Sequence, residues 1–132
     1  LGAAVATVIH PSCIISRRSS IGAGSVVVAG AIVNCGADIG AACIINTAAT
    51  IDHDCVLADG VHVSPGAHLA GNVKVGRRSW IGVGSAVRQG IRIGANCVVG
   101  AGAAVVADVP DGVTVVGVPA RPLRQRGTES AF

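Results

Sequence analysis

Aromatic residues are nearly missing from this 132-residue chain: one Trp, one Phe and no Tyr. A core without large rings must be assembled from small aliphatics. That disfavours a conventional globule and an aromatic platform for nucleic-acid bases. Charged residues are also scarce, at 13% against 51% hydrophobic residues, which excludes an intrinsically disordered chain. The formal net charge of +3 is only mildly basic and carries no nucleic-acid signature. No apolar run approaches the roughly 20 residues of a membrane span, so no membrane partner is expected. Leu1 to Ile9 is apolar but lacks a basic n-region and is short for a signal peptide. Methionine is absent altogether, so Leu1 reads as the start of a processed product or of a piece of a longer protein. Five cysteines occur without a CxxC pair, which argues against a disulfide framework and against a zinc site. Reduced thiols in a cytoplasmic protein are the expectation.

Glycine is abundant, with 19 residues, too many for a mainly helical protein. What organises the chain is a period of six. Stepping by six from Ile9 gives Ile15, Ile21, Val27, Val33, Ile39, Ile45, Ile51, Leu57, Val63, Leu69, Val75, Ile81, Val87, Ile93, Val99 and Val105. Every one of these is Ile, Val or Leu. The next position is often Gly, as at Gly22, Gly40, Gly76, Gly82, Gly94 and Gly100. The position four after the aliphatic is usually small, as at Cys13, Ser25, Ala31, Cys43, Cys55, Ala67 and Cys97.

Six fits neither a helix nor a simple hairpin sheet, but it contains the strand period of two. The aliphatic and the small residue four later therefore point the same way. Short strands joined by bends follow, and each bend needs a φ that Gly and Asn supply cheaply. Three hexads closing a triangular coil would stack like on like at about 4.8 Å, the spacing between strands. Cys13, Cys43, Cys55 and Cys97 fall in the small inward column and read as packing residues, whereas Cys35 lies off it.

The repeat over Ile9 to Val106 resembles the hexapeptide-repeat family. The resemblance implies an all-β fold: a left-handed parallel β-helix, a triangular solenoid of eighteen residues per coil. After Val106 the pattern changes to Asp108-Val109-Pro110-Asp111-Gly112, where Pro and Gly are expected to end the frame. The expected organisation is a lead-in over 1–8, the β-helix acyltransferase domain over 9–107 and a short C-terminal extension over 108–132.

Three segments narrow the resemblance. Val116-Gly117-Val118-Pro119-Ala120-Arg121 looks like the common family ending. Asn46-Thr47-Ala48-Ala49-Thr50-Ile51-Asp52-His53-Asp54-Cys55 resembles the active-site segment of the sialic-acid O-acetyltransferase and bacillosamine-pathway sugar N-acetyltransferase group. Val61-His62-Val63-Ser64-Pro65-Gly66-Ala67 and Ala70-Gly71-Asn72-Val73 resemble the stretch immediately C-terminal to that segment in the same group. Members of that group usually carry an N-terminal Rossmann-like domain that binds the sugar nucleotide. Val8-Ile9-His10-Pro11-Ser12 looks like its junction with the β-helix. The implied activity is acetyl-CoA-dependent transfer of an acetyl group directly to an amino or hydroxyl group of a sugar or sugar nucleotide.

Acyl transfer from a thioester needs a base, a donor for the oxyanion and a means of holding both substrates. His53 is the best candidate base, since imidazole titrates within reach of neutral pH. The resemblance makes Asp54 its orienting carboxylate. Neighbours on a strand point opposite ways, so a direct His53–Asp54 bond needs turn geometry. Gly71 lies eighteen after His53 and Cys35 eighteen before it, so all three stack in one column. The resemblance makes the Gly71 N–H the acetyl-carbonyl donor and gives Asn46 a role in orienting the base or the acceptor. His62 lies half a coil from His53 and can meet it only across two protomers. By resemblance it faces the substrates at a trimer interface, and Trp80 lies eighteen later, where it would stack on His62. His68 and His10 read as structural or surface residues.

The resemblance places acetyl-CoA along a groove toward the C-terminal coils. Gly82, Ala101 and Gly102 are the backbone candidates for its pantetheine, and the stacked pair Lys74 and Arg92 for its phosphates. Arg77, Arg78, Arg88, Arg121 and Arg124 add to the choice, although Arg77 also stacks on Asp59. Packing of three prisms would bury outward residues such as Val28, Ala29, Val83 and Ala95, so a homotrimer is expected.

Other readings fit less well. A zinc carbonic anhydrase on the same fold needs three His ligands, and its close His pair is not reproduced by His53, His62 and His68. A Cys35–His53 nucleophilic pair is not required by the resemblance. Regular Thr ranks of an ice-binding face are absent. A trimeric scaffold or binding module without activity is the non-enzymatic alternative: the lack of an acceptor-binding domain argues for it, and the retained Asn46, His53, Asp54 and Gly71 argue against it.

Overall fold

The computed structural model describes residues 4–124. Its strands are nearly all two residues long and form three parallel sheets, one on each face of a prism. The first face runs Val8–Ile9, Val26–Val27, Ile44–Ile45, His62–Val63, Trp80–Ile81 and Val98–Val99. The second runs Ile14–Ile15, Ile32–Val33, Thr50–Ile51, His68–Leu69, Ala86–Val87 and Ala104–Val105, and the third Ser20–Ile21, Asp38–Ile39, Val56–Leu57, Lys74–Val75 and Arg92–Ile93. Partners within a sheet are eighteen residues apart, as in Val27↔Ile45 and Ile51↔Leu69. The expected left-handed parallel β-helix is therefore the observed fold. No helix among the described residues is long and apolar enough to cross a membrane.

Each hexad works the same way. The second strand residue points inward, so Ile39, Ile45, Ile51, Leu57, Leu69, Ile81 and Ile93 are all buried. The residue four later also points inward and is mostly Ala, Cys or Ser, although Val61, Val73 and Ile91 fill the same column with larger chains. The buried thiols donate to carbonyls of the next coil, Cys43 Sγ to Ala58 O at 3.2 Å and Cys55 Sγ to Ala70 O at 3.1 Å. Burial raises both thiols above their ordinary range, which keeps them as neutral packing groups. Cys35 alone among the five is exposed. Truncation of a central aliphatic, Ile51→Ala, is expected to cost about 2–5 kcal/mol, because the rigid coils above and below cannot collapse into the gap. Urea unfolding measures it, and an unchanged midpoint would contradict this packing.

Glycine serves two separate purposes in the hexad. Left-handed backbone recurs at the second turn residue, at Gly24, Gly36, Gly60, Gly84 and Gly102 but also at Ala42, Ala48, Asp54, Asn72, Arg78 and Asn96. The glycine that follows the aliphatic, two residues earlier, answers to crowding. A Cβ on Gly22 would lie 2.5 Å from the Gly40 backbone, and one on Gly76 2.5 Å from Ala95 N.

The frame does not end at Val106 as the Pro and Gly suggested. Val109 bridges to Ile93, and Thr114–Val116 pairs in parallel with Val98–Val99. Both partners are sixteen apart, so one hexad is shortened by two residues and the solenoid continues. Arg121–Pro122 then turns back antiparallel on Thr114–Val116. At the other end Val8–Ile9 already pairs with Val26–Val27, so stacking begins within the segment read as lead-in. Residues 125–132, the remainder of the extension, lie outside the described residues.

Candidate active site

His53 sits on the turn between the second and third faces, at the tip of Thr50–Ile51. Asp54 occupies the left-handed position of that turn, with φ 59°. That conformation folds the carboxylate back onto its neighbour, and His53 Nδ1 meets Asp54 Oδ2 at 3.0 Å. The carboxylate accepts only, so Nδ1 carries the hydrogen and the Nε2 lone pair is left free. Both side chains are about half exposed, at 49% and 60%. Asp52 completes the turn: its Oδ1 accepts from His53 N–H at 2.7 Å and from Asn34 Nδ2 at 3.0 Å.

One coil above, Gly71 faces the ring. A Cβ there would fall on His53 Nε2. An open groove lined by Asp52, His53, Gly71, Asn72 and Gln89 runs across this corner. The Gly71 N–H has no hydrogen-bond partner among the described residues, while its carbonyl accepts from Gly90 N–H at 3.0 Å. This is a property of the hexad. The amide of the first turn residue is left out of the coil-to-coil ladder throughout, and Ala41, Thr47, His53 and Ala95 satisfy theirs with side-chain oxygens. The corner thus offers a base with a free lone pair beside an unspent backbone donor.

Asn46 is placed elsewhere. It does not touch His53; its amide Nδ2 lies 3.1 Å from His62 Nε2 on the first face. Its Oδ1 accepts from Thr47 N–H at 2.8 Å, which fixes Nδ2 toward the ring. Nε2 of His62 must then accept, leaving a neutral imidazole with its hydrogen on Nδ1. The ring stacks on Trp80 with centroids 4.9 Å apart and 25° between planes. Trp80 is tied down by Nε1–H donation to Ser64 Oγ at 2.7 Å. His53 lies at a corner and His62 on the first face, and the two do not meet within one chain.

Burial lowers the His62 pKa below its ordinary value. As pH falls, the unfolded chain therefore takes up this proton before the folded chain does. The stability involved is fully present above about pH 6.5 and is lost on acidification through the lower folded value. The melting temperature is expected to drop between neutral and mildly acidic pH, and His62→Gln to flatten that drop. An equal drop in the variant would remove His62 as its source.

Lys74 and Arg92 are register partners on the third face and line one shallow depression with Asp111 at its rim. The pairing considered for Arg77 and Asp59 is not formed; Asp59 Oδ1 accepts from Ala41 N–H at 2.8 Å instead. Of the backbone groups expected to serve a pantetheine, Gly82 N–H is spent on Val99 O and Gly102 N–H on Val83 O, both at 2.8 Å. Ala101 N–H is free of partners among the described residues, and so is Val83 N–H, a donor that the sequence pattern did not single out. Only the alternation of spent and unspent amides in the folded hexad reveals it. His68 bonds Thr50 Oγ1 at 2.7 Å on the second face. Among the described residues no three His, Cys, Asp or Glu side chains gather as a metal site.

Residues 72–107 match the bacterial transferase hexapeptide family (six repeats). The acetyltransferase domain of PglB from Neisseria gonorrhoeae, solved alone and with acetyl coenzyme A, is 49% identical to this chain; the structure solved alone has a TM-score of 0.92 and is matched over 92% of this chain and 60% of its own. PerB from Caulobacter crescentus, solved with CoA and GDP-perosamine, is 45% identical with TM-score 0.92, over 93% of this chain and 59% of its own. The 2,3,4,5-tetrahydropyridine-2,6-dicarboxylate N-acetyltransferase of Staphylococcus aureus is 38% identical over 73 residues, 49% of this chain and 30% of that protein. The chain thus spans about three-fifths of the solved relatives and under a third of that curated one.

Proposed function

On the premise that the chain is a hexapeptide-repeat protein, we propose that it is an acetyl-CoA-dependent acetyltransferase acting on an amino or hydroxyl group of a sugar or sugar nucleotide. The observation that carries this reading is the corner at His53. An imidazole with its Nδ1–H held by Asp54 presents Nε2 across an open groove to the unspent Gly71 N–H. That arrangement meets the needs of direct acyl transfer. The acceptor nitrogen or oxygen attacks the thioester carbonyl as Nε2 takes its proton. The carbonyl oxygen gains negative charge and accepts from Gly71 N–H. The carbon–sulfur bond then breaks, and the proton on Nε2 passes to the departing thiolate.

The similarity to PglB and PerB supports the donor and acceptor classes, since those proteins are seen with acetyl coenzyme A and with CoA and GDP-perosamine. The unspent amides of Val83 and Ala101 suit an amide-bearing pantetheine arm, and Lys74 with Arg92 suit phosphate. A homotrimer fits the apolar first face, where Val8, Ile44, Trp80 and Val98 are exposed in one column. Trimer packing would bring Asn46 and His62 of the partner subunit toward His53. The thiols suit a reducing compartment, the cytoplasm.

The test is release of free CoA thiol from acetyl-CoA by the chain with a panel of amino-sugar nucleotides and sialic acid. Acceptor-dependent release names the acceptor class. Binding of acetyl-CoA without turnover of any acceptor would reject the reading for this chain and favour the scaffold alternative.

A further inference from the structure

We infer that the turn one coil below the site, Asn34-Cys35-Gly36, is a positioning template for the His53–Asp54 pair, with Gly36 as its decisive residue. The inference rests on the proposed role of His53 as base. The three residues lie in register under Asp52-His53-Asp54, joined by Asp54 N–H donation to Cys35 O at 3.1 Å. Asn34 Nδ2 holds the Asp52 carboxylate that in turn accepts His53 N–H. Gly36 acts by omission. A Cβ on it would fall on Asp54 Oδ1 and lie 3.1 Å from Asp54 Cγ. The carboxylate that orients the imidazole occupies the space where residue 36 would otherwise have a side chain.

Conformation alone does not demand glycine here. Gly36 has φ 74°, and alanine holds the equivalent turn position at Ala42 and Ala48 with φ 54° and 55°. Nor does general crowding, since a Cβ on Gly30 at the preceding turn meets nothing closer than 3.7 Å. What distinguishes position 36 is the Asp54 carboxylate directly above it.

Gly36→Ala therefore should fold, with a small loss in melting temperature, and should dislodge Asp54. Its kcat is expected to fall as far as that of Asp54→Asn, with the KM for acetyl-CoA unchanged. The double variant Gly36→Ala/Asp54→Asn should be no worse than Asp54→Asn alone, because both act through one carboxylate. A second readout needs no turnover. Imidazole ¹⁵N NMR of the wild type should show His53 with its hydrogen fixed on Nδ1, and Gly36→Ala should return it to the mixed tautomers of an unrestrained histidine. An additive loss in the double variant, or a His53 tautomer unmoved by Gly36→Ala, would overturn the inference. If the wild type turns over no acceptor, the proposed activity fails while the NMR comparison still decides the positioning role.

Discussion

His53→Ala is expected to cut acceptor-dependent thiol release by about 10²–10⁴-fold, the usual contribution of a positioned base. The loss should appear in kcat, with acetyl-CoA affinity retained. The reason is geometric. The ring projects from a turn into an open groove, and nothing in the core rests on it. Its backbone N–H and C=O remain bonded to Asp52 Oδ1 and Asn72 N–H whichever side chain is present. Removing the imidazole thus removes the proton acceptor and leaves the coil intact. Thermal melting together with calorimetric titration of acetyl-CoA checks both halves. Turnover that survives in His53→Ala at the wild-type rate would dismiss this corner as the site. A melting temperature that collapses would instead make His53 a structural residue.

The fold was legible because a solenoid repeats its physics every six residues. Ile45 and Ile51 obey the same rule at different coils, so a register error anywhere would have broken the whole column. The stacking of Cys35, His53 and Gly71 came from the same arithmetic, as did His62 on Trp80. Where the period changed, the arithmetic failed. Losing two residues between Val105 and Val109 looked like the end of the repeat, whereas a short turn still brings Val109 over Ile93 and Val115 over Val99.

Within the site, what sequence showed least was side-chain direction. Asn46 lies seven residues before His53 and is expected to orient the base or the acceptor, but it directly follows the Ile44–Ile45 strand of the first face and its amide turns to His62 sixteen residues on. Hydrogen-bond economy was equally invisible. Gly82 and Gly102 look as suitable for a ligand as Ala101, and only the coil-to-coil ladder shows which amides are already engaged. Gly36 shows the same limit in another form: its importance lies in the carboxylate of a residue eighteen positions away.

Gly71→Ala is expected to lower kcat/KM by about 10²–10³-fold, comparable to loss of an oxyanion donor, with little change in stability. The added methyl group would fall on His53 Nε2 and lie 3.0 Å from Cδ2, so the ring must swing out of the groove. The same methyl group would stand beside the N–H that the carbonyl oxygen must reach. Gly71 is not among the residues with left-handed backbone, so alanine is tolerated there by the main chain. Gly60→Ala supplies the opposite case. It sits at a different corner with φ 71°, and a Cβ there meets nothing closer than Arg78 Cγ at 3.4 Å. That substitution should cost about 1 kcal/mol of stability and leave turnover as it was. Activity and stability should therefore separate in opposite directions at two glycines of one repeat. If Gly71→Ala keeps the wild-type kcat/KM, the acyl carbonyl is held by some other donor, and the pairing of His53 with this amide loses its catalytic meaning.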